Sequence, residues 1–189
     1  MKNLIWSFCP WVAFLLGVRI NVYVGAGIGL AVALVVLIRA ISRHSVHMFD
    51  VIGTVYFGGL LILLAAIHPG DIDTWGRYAQ AVAHGSLTLI VFGSILIGKP
   101  FTEPYAREQA PESVWKTRRF HDLNRQISAV WGLAFVVGTI SLIIAGSQDS
   151  RQFVLRLVVP FGALFLAFLY TQKKAAVAGG TAPDQLGAH

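Results

Sequence analysis

The chain has 189 residues, of which 56% are hydrophobic and 13% charged, and its mean hydropathy is +0.66. A soluble domain carries about 25% charged residues, so this composition cannot clothe a water-facing surface, and an ordinary soluble enzyme is excluded; disorder requires the opposite balance. The formal charge is +6, and the single cysteine, Cys9, permits neither an intrachain disulfide nor a CxxC motif.

A helix crosses the hydrocarbon core in about 20 residues, and apolar runs of that order recur along the chain. The first apolar stretch, 4–18, is short and contains Pro10. Lys2 ahead of it resembles the start of a signal peptide, but no A-x-A site follows and the chain continues through Arg19 into further apolar sequence. It reads as a retained short helix, either re-entrant or barely spanning. Full spans follow at 20–38, interrupted only by Asn21, at 51–67, at 78–98 with His84 inside, at 120–146, and at 153–171 with Arg156 near its start. These runs are apolar all round rather than alternating. Backbone groups in lipid must also be paired within their own segment. The expected fold is therefore all-α: a polytopic bundle of five full transmembrane helices plus the short N-terminal one. A single membrane domain is expected over 1–174, followed by a disordered Ala/Gly/Pro-rich tail at 175–189.

Ten of the 15 Lys and Arg residues fall in 39–50, 99–125 and 172–189, the connections on one side of the bundle. Basic connections stay in the cytoplasm, which puts the C-terminus and the loop 99–119 there. Pro100, Pro104 and Pro111 preclude a continuous helix early in that loop. Its second half sets Lys116, Arg118, Arg119 and Arg125 among Trp115, Phe120 and Leu123, as in a segment resting on anionic lipid. Glu103, Glu108 and Glu112 soften the positive field, and nucleic acid is not expected as a partner. The rhythm of Phe120, Leu123, Ile127, Val130, Trp131 and Ala134 carries a helix from the loop into the next span.

Small residues four apart let helix backbones approach. The pairs are Gly25 and Gly29, Ala81 and Gly85, Ser94 and Gly98, Ser128 and Gly132, Ala134 and Gly138, and Ala163 and Ala167. Leucine at Gly85 or Gly138 is expected to disturb packing. The string Gly25-Ala26-Gly27-Ile28-Gly29 resembles part of a dinucleotide fingerprint, but it sits inside an apolar helix rather than at a strand-to-helix turn, so packing is the expected role.

Candidate chemistry is sparse. His44, His47 and Asp50 stand three apart, a spacing that could hold a metal on a helix face. No second acidic residue adjoins them in sequence, however, and His121 would have to come from another loop. Histidines capping or solvating a helix end are the expected reading. His68 and His84 both fall in the half opposite the basic loops, where they could ligate a haem or, in the case of His84, relay protons. A neutral histidine hydrogen-bonded between helices is the plainer alternative. Arg19 and Arg156 are expected to snorkel to headgroups. No catalytic triad or carboxylate pair can be assembled, and no catalytic residue, metal or cofactor is expected.

The order of several short motifs resembles the intracellular septation protein A family of bacterial inner-membrane proteins. Phe8, Pro10 and Phe14 match an FxPxxxF pattern, and Phe57-Gly58-Gly59-Leu60 an FGGL stretch. His68, acidic residues and Trp75 resemble the family's outer loop; Lys99-Pro100 resembles the pair that ends the next helix. Trp115, Leu123-Asn124, Trp131 and Phe135 resemble a W…LN…W…F run, and the last helix, with Phe153, Arg156 and Phe161-Gly162, fits more loosely. The likeness extends from Leu4 to about Lys174. It departs at Gly76-Arg77, in the longer spacings around Asn124, and at PFTEPYARE, which has no counterpart. The resemblance implies a role in the cell envelope and septation through contacts with inner-membrane proteins or self-association, with no accepted catalytic residue or cofactor to carry over. Two other functions remain as alternatives: a small transporter or lipid-handling membrane enzyme, and a haem-binding redox protein using His68 and His84.

Overall fold

The protein is described by a computed structural model over residues 2–66, 72–147 and 153–180, with side chains described at all of these except 2, 4, 72–77 and 178–180. The helices are α1 (Lys2–Gly17), α2 (Val22–Ser42), α3 (Met48–Ala66), α4 (Ile72–Leu96), a short α5 (Glu103–Arg107), α6 (Arg118–Ser147) and α7 (Val159–Gly180). A 3-10 turn, Glu112–Val114, precedes α6, and a π turn, Val154–Val158, leads into α7. No strand occurs among the described residues. Five stretches are long and apolar enough to cross a bilayer: Val22–Ser42, Met48–Ala66, Tyr78–Leu96, Arg118–Ser147 and Val154–Val177. The chain is an all-α, multi-pass membrane bundle, as its composition requires.

The helix ends follow from local chemistry. Asn21 does not interrupt a span; its side chain accepts from the Val24 backbone N–H at 2.8 Å and so caps the start of α2. At the far end of α2, His44 adopts φ 51°, while Ser45 donates to the Ala40 carbonyl and His44 to that of Ile41. This is a Schellman closure with histidine in the left-handed position. Gly98, at φ 71°, ends α4 in the same way, with Lys99 donating to Ser94. Helix α7 continues to Gly180, past the expected boundary at 174, and residues 181–189 of the expected tail lie outside the described residues.

Helix α1 packs along α2, α2 on α3, α4 on α6, and α6 on α7. The start of α1 meets Asp50 and Glu108, whereas Leu15 near its end accepts a hydrogen bond from Gln80. It therefore runs from the end bearing the basic connections towards the opposite end. Its 16 residues span about 24 Å, somewhat less than the hydrocarbon core. Despite Pro10 it is no peripheral appendage. Phe8 stacks on Trp131 of α6 with centroids 5.1 Å apart, while Trp11 and Phe14 meet Phe57 of α3 at 5.0 and 5.4 Å. This aromatic cluster joins α1, α3 and α6 at the centre of the bundle.

Backbone contact between α1 and α2 depends on missing side chains. A Cβ at Gly25 would stand 2.7 Å from the Val18 backbone nitrogen, and one at Gly17 would stand 2.9 Å from the Gly25 Cα. Gly138 is likewise filled, since a Cβ there would lie 2.6 Å from Cδ2 of His84. Gly85 is different: its Cβ would meet Thr139 at an ordinary 3.7 Å, so the expectation of tight packing holds at Gly138 but not for the first added carbon at Gly85. Gly98 ends a helix and has open space around it, so it forms no packing pair with Ser94. Gly25 and its near neighbour Gly27, which faces nothing within 4 Å, make a controlled comparison. Gly25→Ala should cost about 1–3 kcal/mol through overpacking, whereas Gly27→Ala should be neutral or stabilise by up to about 1 kcal/mol. Thermal midpoints of the purified variants in one detergent check this; equal shifts for the two would contradict the close approach.

Candidate functional site: a polar plug at the basic end

The segment after α4 turns back into the bundle instead of lying on its surface. Pro100, Phe101, Thr102 and Tyr105 are all buried. Three prolines deny this stretch a long helix, so its polar backbone must find other partners. The Phe101 N–H donates to the Ser94 hydroxyl at 3.1 Å, and the Thr102 hydroxyl donates to the Asn124 carbonyl at 3.0 Å beside Ser128. Asn124 in turn donates to the Phe120 carbonyl at 2.9 Å. The segment with no counterpart in the resemblance, PFTEPYARE, is thus the plug of this end.

His47 is the centre of the polar contacts. Its ring stacks on Tyr105, with centroids 4.2 Å apart and planes 10° from parallel. Its Nε2 lies 2.9 Å from a Glu108 carboxylate oxygen and its Nδ1 3.5 Å from Asp50. Asp50 also accepts from the His47 backbone N–H at 2.9 Å, the returning half of a capping box at the start of α3. Its other oxygen accepts from the Ser7 hydroxyl of α1 at 2.5 Å, and Asn3 donates to Glu108 at 2.9 Å. One buried histidine therefore ties α1, α3 and the plug together. A second pair, His121 Nδ1 with Glu103 at 2.9 Å, fastens the plug to α6, and Arg107 meets the same carboxylate group at 2.6 Å.

Burial works against charge on the His47 imidazole, but the hydrogen bond to Asp50 and the negative charge of Glu108 and Asp50 outweigh it and hold its pKa above the ordinary value. Burial pushes the Tyr105 phenol up, out of the physiological range.

The expected site residues divide clearly. His44 is exposed and terminates α2, while His47 and Asp50 form the capping pair, in line with the expected helix-end role. A second acid does adjoin His47, contrary to the reading from sequence neighbours. It is Glu108, delivered from the distant loop, which adjacency in sequence cannot reveal. His121 is engaged by Glu103 and is not recruited to His47. No group of three or more His, Cys, Asp or Glu suited to a metal occurs among the described residues. Beside the network, Trp6, Arg39 and Arg43 help to line a cavity of about 20 Å3, large enough for about one water; Arg39 lies 4.5 Å over the Trp6 ring.

His84 is buried, with Nδ1 3.3 Å from the Gln80 carbonyl of its own helix and Nε2 without a partner. A Cβ on Gly138 would stand 3.2 Å from that Nε2, so the ligating nitrogen faces the α6 backbone and leaves no room for a porphyrin plane. His68 lies outside the described residues. Arg19 is exposed, whereas Arg156 turns inward and donates to the Ala145 carbonyl at 2.9 Å, satisfying the end of α6 rather than reaching for headgroups.

Most family-like positions are packing positions. Phe57, Pro100, Asn124 and Trp131 are buried, and the Trp131 indole donates to Thr171 of α7 at 3.0 Å. Leu60 packs partly buried on the core, whereas Gly58 and Gly59 meet almost nothing and Lys99 is exposed. Trp115 is half-buried and donates to the Ala110 carbonyl at 2.9 Å, with Arg107 5.6 Å from its ring. Trp75 lies on α4, with its side chain outside the described set.

The raised pKa of His47 fixes the sign of a pH effect. The folded state holds the proton more tightly than the unfolded chain. The stabilisation is therefore complete below the unfolded value of about 6.5 and is lost as pH rises through the folded value. The groups facing the ring are Asp50, Glu108 and Tyr105. The thermal midpoint should fall as pH rises above about 6.5, and His47→Gln should flatten that fall. An identical slope in the variant would remove His47 as its source.

Set against known proteins, the chain matches no family model, no curated protein and no solved structure.

Proposed function

We propose that this chain is a non-enzymatic protein of the bacterial inner membrane that serves cell envelope maintenance or septation through contacts with other membrane proteins or with a second copy of itself. In this reading the basic end and the C-terminus face the cytoplasm, supported by the concentration of Lys and Arg in the connections at that end. The observation that carries the non-enzymatic part is where the resembling motifs go. Phe8, Phe14, Phe57 and Trp131 come from three separate motifs and meet in one packed core, and Asn124 is buried as well, so what they specify is the shape of a bundle. The polar residues at the plug are spent on one another, His47 on Asp50 and Glu108 and His121 on Glu103, an arrangement that holds a surface rather than opens a reaction centre.

The surface so held runs along the plug, where Arg107, Gln109 and Glu112 are exposed. A photo-crosslinking residue in place of Gln109 should trap division or elongation proteins, or a second copy of the chain, in living cells. Cells lacking the chain should form abnormal septa. Normal septation together with an absence of trapped membrane partners would overturn the proposal.

A further inference from the structure

We propose that the groove between the first turns of α6 and the last turns of α7 binds the headgroup of an anionic phospholipid. The groove has a volume of about 480 Å3, within the range of ligand sites. Among the described residues of its lining, Arg118, Arg119 and Lys174 are positive and Asp122 is negative. Arg118 meets Asp122 at 3.6 Å with a side chain 95% exposed; such a pair is worth little in water and is readily exchanged for a phosphate, which a guanidinium binds through two parallel hydrogen bonds.

Two observations select a lipid over a free anion. The first is depth: the polar start of α6 gives way to buried apolar residues from Ile127 onward, and Lys174 follows the apolar body of α7 with its ammonium 5.6 Å from the Tyr170 ring. The cations therefore stand where hydrocarbon meets headgroups. The second is the floor, which is Leu123 and Val177. Leu133 lies about two turns beyond Gln126 on the same face of α6, and Leu166 lies within about 20° of the Val177 direction on α7. Both are exposed, at 58% and 67%. A phosphate between the helix ends would thus have an apolar track for its acyl chain leading into the bilayer. A soluble anion has no use for that track.

Native mass spectrometry of the purified full chain in detergent tests this with phosphatidylglycerol, phosphatidylcholine and inorganic phosphate as probes. The wild type should retain phosphatidylglycerol over phosphatidylcholine by about tenfold or more. Arg118→Gln with Lys174→Gln should reduce that ratio to near unity, whereas Lys99→Gln, at an exposed cation outside the groove, should leave it unchanged. Asp122→Asn, which removes the opposing carboxylate, should raise phosphatidylglycerol retention, giving a reading that does not depend on the double variant folding. Equal retention of both lipids by the wild type, no gain in Asp122→Asn, or displacement of the lipid by an equal concentration of phosphate would each overturn the proposal.

Discussion

Inside a bilayer there is no water to complete a hydrogen bond, so a polar group the chain carries inward is costly unless another part of the chain answers it. That constraint accounts for more of this structure than any apolar contact does. It makes the segments helical, and it also determines what becomes of their ends and of the polar residues among them. Asn21 answers the first N–H groups of α2, Arg156 answers a carbonyl at the end of α6, and the indole of Trp131 finds Thr171 on α7. Ser141 donates to the Leu155 carbonyl in the π turn at 2.8 Å. The last three of these contacts join elements that apolar packing alone would leave free to slide, because lipid is as good a neighbour for leucine as protein is.

The plug is the same rule applied at a helix terminus. Gly98 and three prolines stop α4 from continuing, which leaves a stretch at the edge of the apolar zone that is irregular apart from the short α5. Irregular backbone survives there when it is buried in protein and its polar groups are paired. Thr102, Asn124, Ser128 and Ser94 supply the partners on one side, and the His47 network supplies them on the other. A buried histidine between two carboxylates is strongly destabilised when one partner is removed, so this end of the molecule is coupled from α1 through α3 to the loop. The functional reading rests on that coupling: a rigid, partly charged surface presented at one face of a bundle.

Much of the fold was legible because composition and length are a direct record of the solvent. The five long spans, the early start of α6 and the packing role of the Gly25–Gly29 stretch all follow from runs of apolar residues and the spacing of small ones. The place of α1 was not legible. Fifteen or so apolar residues with a proline look the same whether they skim a membrane or wedge into a core, and only the partners of Phe8, Trp11 and Phe14 distinguish the two. Asn21 did carry a readable signal, since asparagine before an apolar helix is a cap; treating it as an interruption of the span concealed that. Glu108 and His47 are 61 positions apart, and no periodicity links a loop glutamate to the histidine at a helix start. Lone polar residues such as His84 and Arg156 are similarly silent, because their roles depend on which backbone happens to lie opposite.

The apolar helices bring the start of α1, the plug and the end of α7 to one end of the bundle, and the proposed function requires that end to face the cytoplasm. Compartment-sensitive reporters fused one at a time at the N-terminus, after residue 110 and at the C-terminus test it most directly. The account predicts a cytoplasmic signal from all three. Reporters at residue 110 and at the C-terminus reading opposite faces would contradict it.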